Sequence, residues 1–587
     1  MLSTGNIQVY TELLTPPDGY VTEQALGLTY SLDLTMVLAA SVSLFMGKEL
    51  DGTAEYERYD VLASLQDVKK KMRIFCQSGQ IKVPPHYNKL YQLIEPSITM
   101  IPMEEGSFHP KLWLLRFREK ASETILYRLI VLSKNLTDSR DWDITYFADG
   151  EITQKNNQNT NLITFLSKPP LGHDDFLNPI LKELKNVSFE KPYGTDTFDF
   201  YGYLQKALPF SKSCSRSLII SPFVRTEQLK NIPIGQDSAF LISRQEELDK
   251  ISTGNLKPYD CYVLKDTVID GETIIDEELV HRKQNNIHAK IYVWENDDQR
   301  EQTNVFLGSA NCSNAAFSQN VEAMIHLKYL HSIWEDILYP LVGNEDDNIT
   351  TLCSPYIPRE AEEEDPELES VRKIKRSITL VMDTVIINRS NSSYYKMTIP
   401  INDDLSMKSG ISVTIAPLTQ KDLLLDLMGR EIVFDNLSIE RLTTFFIITI
   451  NVGNEKSESF VMRLKPEIDE EIIKAREQLL MRQLFTSMKK LLSYIAYLLD
   501  VETFDSPEFS SSNFGGKNGA SSDSLHYEIL PLYEKLLVMA ADNPIQLKKI
   551  DIALATLKES NELDVSEFQE LITFWEPFRK FIPDIRT

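Results

Sequence analysis

Residues 285–326 read NNIHAKIYVWENDDQREQTNVFLGSANCSNAAFSQNVEAMIH. His288 and Lys290 stand two apart at the head of a run rich in Ile, Tyr, Val and Trp, which predicts a β-strand. Side chains on a strand alternate between faces, so His288 and Lys290 point the same way. A polar hairpin-like insertion follows, then a second strand, NVFLG, then a Gly-Ser-Ala-Asn turn at 308–311. This arrangement can gather an imidazole, an ammonium, a hydroxyl from Ser309 or Ser313 and the Asn311 carboxamide into one pocket. Such groups suit chemistry at a phosphodiester. Imidazole attacks phosphorus, or protonates a leaving oxygen, near neutral pH. Lys, Asn and Ser donors stabilise charge on the non-bridging oxygens.

One His-x-Lys pair means little alone; the weight comes from a second copy. Residues 107–143 read SFHPKLWLLRFREKASETILYRLIVLSKNLTDSRDWD. His109 and Lys111 open an apolar strand, LWLLRF. A polar connection leads to a second strand, YRLIVL, and then to a turn carrying Ser133 and Asn135. His109 and Asn135 are 26 residues apart, His288 and Asn311 are 23, and two of only eight histidines hold equivalent places. Ordinary hairpins with a histidine at the rim would account for either copy, but not for strand, spacing and turn chemistry recurring together.

The paired cassettes resemble the phospholipase D superfamily, whose motif is H-x-K-x4-D followed by G-S-x-N. The resemblance covers residues 25–340. It implies two cassettes meeting across a pseudo-two-fold axis at a single site, with one histidine forming a covalent phosphohistidine and the other serving as general acid and base, without a metal. Carried onto this chain, it makes His109 the nucleophile and His288 the general acid, with the reverse left open. Lys111 and Lys290 would hold the phosphate, and Asn135, Asn311, Ser133 and Ser309 would complete the oxyanion cradle. Glu295 stands where the motif has Asp, and Arg116 stands there in the first cassette. Loss of that acid with Asn retained is more similar to the tyrosyl-DNA phosphodiesterase and nuclease branches than to the lipid enzymes. Glu295 is expected to orient a neighbouring His or Lys, although alternation puts it on the face opposite His288. Asn320 and Glu322 match a family position that braces the site; strand pairing explains them equally well.

At 587 residues the chain should hold about two to four domains, and its 42% hydrophobic and 25% charged content is that of a globular protein. No apolar run approaches the ~20 residues of a bilayer span, and the opening MLSTGNIQVYTELL lacks the basic and apolar regions of a secretory signal. Five cysteines (Cys76, Cys214, Cys261, Cys312, Cys353), odd in number and without C-x-x-C, fit a reducing cytoplasm. They suggest no zinc site, and no cofactor is expected. The net charge of −25 weighs against nonspecific duplex binding and anionic membranes alike. It favours a partner that delivers the substrate. A local basic lining of Lys111, Arg116, Arg118, Lys120, Arg128, Lys134 and Arg140 is one reading of the first cassette; an ordinary solvated strand face is the other.

The fold class read from this pattern is α/β: two pseudo-symmetric phospholipase D-like lobes, then a small β-sandwich-like domain and a C-terminal helical domain. Lobe 1 is expected over 1–160, a connector over 161–212 and lobe 2 over 213–345. An acidic linker follows at 346–371. Short β-type runs, among them SITLVMDTVII and TTFFIITINV, predict an antiparallel accessory domain at 372–466. Apolar residues at helical spacing predict helices over 467–587, broken by a linker at 506–524.

The leading functional expectation is a metal-independent phosphodiesterase acting on nucleic acid, DNA before RNA. A phospholipid phosphodiesterase or transphosphatidylase is the alternative, and a non-catalytic nucleic-acid-binding scaffold is a third. The added modules suggest a bacterial restriction or antiviral complex with a motor ATPase or helicase partner, homo-oligomerisation through the C-terminal domains, and no membrane association.

Overall fold

The computed structural model describes residues 10–46, 64–65, 68–139, 141–153, 158–204, 210, 213–265, 274–276, 279–281, 286–296, 302–343, 351–361, 366–402, 410–453, 456–484 and 565–580, with positions 536, 539, 547, 550, 551 and 554. The predicted break at 506–524 and most of the helical end lie outside them. Among the described residues no helix is long and apolar enough to cross a membrane.

The first half builds a mixed sheet from β1 (Tyr20–Thr29), β2 (Met72–Gln77), β3 (Ile98–Ile101), β4 (Leu112–Glu119), β5 (Ile125–Leu132), β6 (Thr145–Ile152) and β7 (Val187–Phe189). Their order is β3-β2-β1-β4-β5-β6-β7; β1, β2 and β3 run parallel and the remaining pairings are antiparallel. The next segment supplies β8 (Thr195–Tyr201), β9 (Cys214–Ile220), β10 (Gly235–Ile242) and β11 (Asp260–Leu264). A separate ribbon, β12 (Ile274–Asp276) with β13 (Leu279–His281), precedes β14 (Ile291–Asn296), β15 (Gln302–Gly308), β16 (Met324–Tyr329) and β17 (Cys353–Pro355). The second sheet runs β17-β11-β10-β9-β14-β15-β16-β8. Apart from the added β17 and the edge strand β8, which comes before the others in the chain where β7 comes after them, the order and the parallel and antiparallel pairings repeat those of the first sheet.

Alternation along the cassette strands explains their continuous apolar runs. Leu112 and Leu114 face a core shared with Ile291 and Val293 of the other sheet. Trp113, Leu115 and Phe117 face a second core under the helix Leu34–Met46, whereas Tyr292 and Trp294 face a third. Strands covered on both sides need no polar face. The two sheets therefore pack on each other through one continuous core, which brings their His-x-Lys ends to a common seam.

Several boundaries differ from the sequence reading. The connector at 161–212 is no spacer: β7 closes the edge of the first sheet and β8 closes that of the second, because VSF alternates buried with exposed positions and TFDFY buried with half-buried ones. SITLVMDTVII is not one strand. A helix, Pro366–Val381, runs through its first half and β18 (Thr384–Arg389) takes the second. Val371, Ile374 and Ile378 recur at helical spacing and enter the accessory core, and that periodicity outweighs the β-branched composition.

The accessory domain continues with β19 (Tyr395–Pro400), β20 (Ile411–Pro417), β21 (Leu425–Asp426), β22 (Glu431–Leu437), β23 (Phe445–Val452), β24 (Lys456–Arg463) and β25 (Lys465–Ile468). Two four-stranded sheets, β22-β19-β18-β25 and β21-β20-β23-β24, enclose its core. The pairing of β18 with β25 is parallel, against the all-antiparallel expectation, because the chain passes from one sheet to the other at buried Leu464 without reversing.

This domain is docked on the first sheet. Leu418, Phe445, Ile447 and Val461 belong to the core under Leu34–Met46, and Val461 bridges Ile81. Buried Glu95 accepts from Thr444 N (3.0 Å) and pairs with Arg476 (3.0 Å) on the helix Glu470–Leu484. Removing one partner of a buried pair typically costs about 3–5 kcal/mol. Glu95→Ala is therefore expected to lower the melting temperature by several degrees and to expose the accessory domain to limited proteolysis. An unchanged melt and digest would show that the apolar contact alone holds it.

Candidate active site at the seam of the two sheets

Each His-x-Lys segment touches the opposite sheet's cassette just before its own strand begins. Phe108 forms a parallel bridge with Val321, and Ile287 forms one with Trp142. His109 N donates to Val321 O and His288 N to Trp142 O, both at 2.9 Å. The residues that follow these partners, Glu322 and Asp143, are thereby set beside a histidine from the other cassette. Glu322 Oε2 lies 2.9 Å from His109 Nδ1, and Asp143 Oδ1 lies 2.8 Å from His288 Nδ1. A carboxylate only accepts, so each imidazole carries a proton on Nδ1 and, when neutral, has its lone pair on Nε2.

Each carboxylate is fixed from behind by the serine of its own turn. Ser133 Oγ donates to Asp143 Oδ1 (2.8 Å) and accepts from Ile144 N (2.9 Å). Ser309 Oγ donates to Glu322 and accepts from Ala323 N (2.8 Å). Asn320 Nδ2 donates to the other Glu322 oxygen at 3.0 Å. Gly308 makes the tight turn possible: at φ +147° an added Cβ would sit 2.2 Å from Ala323 O.

Lys111 and Lys290 are fully buried. Lys111 Nζ lies 3.0 Å from His109 Nε2, and Lys290 Nζ donates to His288 O. Burial brings Lys111 down to about 7, with Glu322 and Asp143 opposing the shift. Lys290 is driven well below its ordinary value by burial and then by Lys111. Burial also lowers both imidazoles, His288 to about 3 with Lys290 adding to the effect, while their carboxylates work the other way. Burial alone would raise Asp143 and Glu322. The bonds from His288 and His109, with the nearby lysines, hold both below the usual carboxylate range. Burial thus holds the lysines and imidazoles short of their full positive charge in the resting state, and an arriving anion would restore it to them together.

The sequence-predicted residues divide accordingly. His109, Lys111, His288, Lys290 and Glu322 converge, and Asn320 braces Glu322. Asn135 and Asn311 stand half-buried at the turns; Asn135 Oδ1 is 3.5 Å from Ser31 N, and Asn311 Oδ1 is buried with no hydrogen-bond partner among the described residues. Ser133 and Ser309 do not form an oxyanion cradle, since both are wholly buried and committed to the carboxylates. Ser313 caps the helix Asn314–Ser318.

Glu295 orients neither histidine nor lysine. It lies on the far face, bonded to Arg216, Thr303 and Ser332. Arg116, its counterpart, forms a bidentate pair with Glu183 (2.9 and 3.0 Å). That position is an ion-pair site in both cassettes with the charge exchanged, which accounts for the departure from the motif. The basic lining dissolves likewise: Arg118 pairs with Glu23 and Arg128 with Asp149, while Arg140 lies outside the described residues.

Sequence reasoning missed Asp143 and Tyr30. An acid follows each Ser-x-Asn turn and precedes a strand, a signal that selects Asp143 as readily as Glu322. Tyr30 follows β1, and its ring packs edge-on to His109 (5.0 Å) with Lys111 Nζ 5.8 Å from its centroid; nothing local marks it. Among the described residues, no three His, Cys, Asp or Glu side chains are grouped to hold a metal ion.

Residues 275–337, which contain the second cassette, match the family described as NgoFVII restriction endonuclease N-terminal PLD domain. No curated protein matches the chain. Among solved structures the chain is similar to the polyphosphate kinase from Porphyromonas gingivalis, at 11% identity and a TM-score of 0.29, over 63% of this chain and 44% of that one. The chain thus spans less than half the length of that enzyme.

Proposed function

We propose, from a chain that carries a phospholipase D cassette of the nuclease branch, that the paired sheets are two pseudo-symmetric lobes sharing one phosphodiesterase site, and that the substrate is a nucleic acid, DNA before RNA. The observation that carries this is the crosswise pairing of His109 with Glu322 and His288 with Asp143 beside two buried lysines. Two imidazoles of fixed tautomer, each backed by a carboxylate, supply a nucleophile and an acid without help from a metal.

In this reading the arriving phosphodiester and Asp143 hold His288 doubly protonated; His109 Nε2 attacks phosphorus as the bond to the leaving oxygen breaks, and His288 gives that oxygen its Nε2 proton, keeping the one on Nδ1. Water then attacks the phosphohistidine, His288 takes a proton from it, and the bond to His109 breaks. Arrival of the anion draws Lys111 off His109 Nε2, freeing the lone pair. Lys111 and Lys290, with the Asn135 and Asn311 carboxamides, neutralise the non-bridging oxygens.

The matched restriction endonuclease domain supports nuclease chemistry and a role in a bacterial restriction or antiviral complex. The accessory and helical domains are the proposed contacts for a motor ATPase and for self-association. The test is acid-free denaturation after brief incubation with 32P-labelled oligonucleotide, followed by peptide mapping, run in parallel with labelled phospholipid vesicles. Label on His109 from the oligonucleotide is expected. Headgroup release without oligonucleotide cleavage would replace the nuclease by a lipid enzyme, and DNA binding without label or turnover would leave a scaffold.

A further inference from the structure

The protein carries a net charge of −25, yet residues 371–376 read VRKIKR. The helix Pro366–Val381 lays this run beside the site. Arg376 donates to Gly106 O (2.7 Å) in the loop leading to His109. Lys375 pairs with Glu458 (2.6 Å) and packs over the Phe460 ring. Gly79 admits the helix closely: at φ +76° an added Cβ would lie 3.1 Å from both Lys375 Cε and Thr379 Cγ2. The helix is therefore held in place by lobe 1 and by the accessory domain together.

Between helix and lobe lies a cleft of about 280 Å³ lined by Tyr30, Gln77, Ser78, Ser107, Arg372 and Arg376, among others. Tyr30 forms its inner wall and touches His109 on the other side. Arg372 and Lys373 are exposed at its rim. Burial raises the Tyr30 hydroxyl, and Arg372 and Arg376 oppose that, as expected for guanidinium groups close by. The cleft thus adjoins the histidine seam across the Tyr30 ring, and its outer wall is cationic on an otherwise acidic molecule.

We infer that Arg372, Lys373 and Arg376 form a phosphate track that seats the backbone of a nucleic-acid strand next to the one being cut, with Tyr30 between track and scissile phosphorus. The inference rests on the phosphodiesterase reading and adds to it how an acidic protein holds a polyanion. Charge complementarity selects the occupant, and the spread of three cations over about one helical turn of the cleft wall selects a polymer over a single phosphate. Each neutralised phosphate of a single strand contributes about 0.7 to the slope of log affinity against log salt.

The experiment compares the full chain with its Arg372→Ala/Lys373→Ala variant. Fluorescence anisotropy with a labelled single-stranded DNA is followed across salt concentrations, long-chain polyphosphate serves as a second probe, and bis(p-nitrophenyl) phosphate reports the site itself. The variant is expected to bind DNA about tenfold more weakly at low salt, with a slope smaller by about 1.4, and to turn over the small ester unchanged. Equal DNA affinity and slope in both proteins, or a preference for polyphosphate over DNA, would overturn the track. If the wild-type protein ignores the small ester while the binding difference holds, the track stands and the catalytic reading falls.

Discussion

Replacing either His109 or His288 with alanine is expected to lower oligonucleotide cleavage at least about a thousandfold, the scale on which nucleophilic and acid–base groups act. Both side chains lie at the rim, 12% and 16% exposed, so their removal opens no core cavity. The partner left behind is the greater concern. Glu322 is fully buried, and His109→Ala withdraws one of its donors while Ser309 and Asn320 remain. His109→Gln restores an amide donor without a nucleophile, and it should be equally inactive and more stable. The two histidines separate on an ester whose leaving group needs no proton: His288→Ala should still form the covalent adduct there, and His109→Ala should not. Retained cleavage in both variants, with intact folds by circular dichroism, would remove the histidines from the chemistry altogether.

The second large effect concerns the carboxylates that reach across the seam. Asp143→Asn and Glu322→Gln keep shape but lose charge, and each is expected to reduce kcat by about 10²–10⁴, as when a carboxylate orienting a catalytic imidazole becomes an amide. The sign of the accompanying pH change follows from the charges. Each carboxylate favours the protonated form of its histidine and of Lys111. Without it those groups lose their protons at lower pH, so the alkaline limb of log kcat/KM, set in the unliganded protein by the protonated His288 and Lys111 that the reaction needs, should move toward acid in both variants. A fall in kcat with an unmoved limb would mean that the carboxylates serve packing alone.

Much of this site is visible in the chain itself. His109, Lys111, His288 and Lys290 announce themselves because the two-residue period of a strand forces a His-x-Lys pair onto one side. Asp143 was as legible as Glu322, since both follow a Ser-x-Asn turn. Residue type misled at the serines, whose hydroxyls look free in sequence and are in fact tied to carboxylates ten and thirteen residues onward. It misled again at SITLV, where β-branched composition concealed the helical spacing of Val371, Ile374 and Ile378. The cationic helix beside Tyr30 had no signature as part of the site, because its place depends on how the accessory domain packs.

By itself the sequence determined the cassette strands, their turns and the identity of the reactive groups, since alternation and turn chemistry operate within a few residues of chain. Only the tertiary structure decided which acid serves which base. His109 and Glu322 are 213 residues apart and Asp143 and His288 are 145 apart. Their meeting depends on two sheets closing over a common apolar core, and burial of that core, rather than any local preference, is what carries each carboxylate into contact with the histidine of the other cassette.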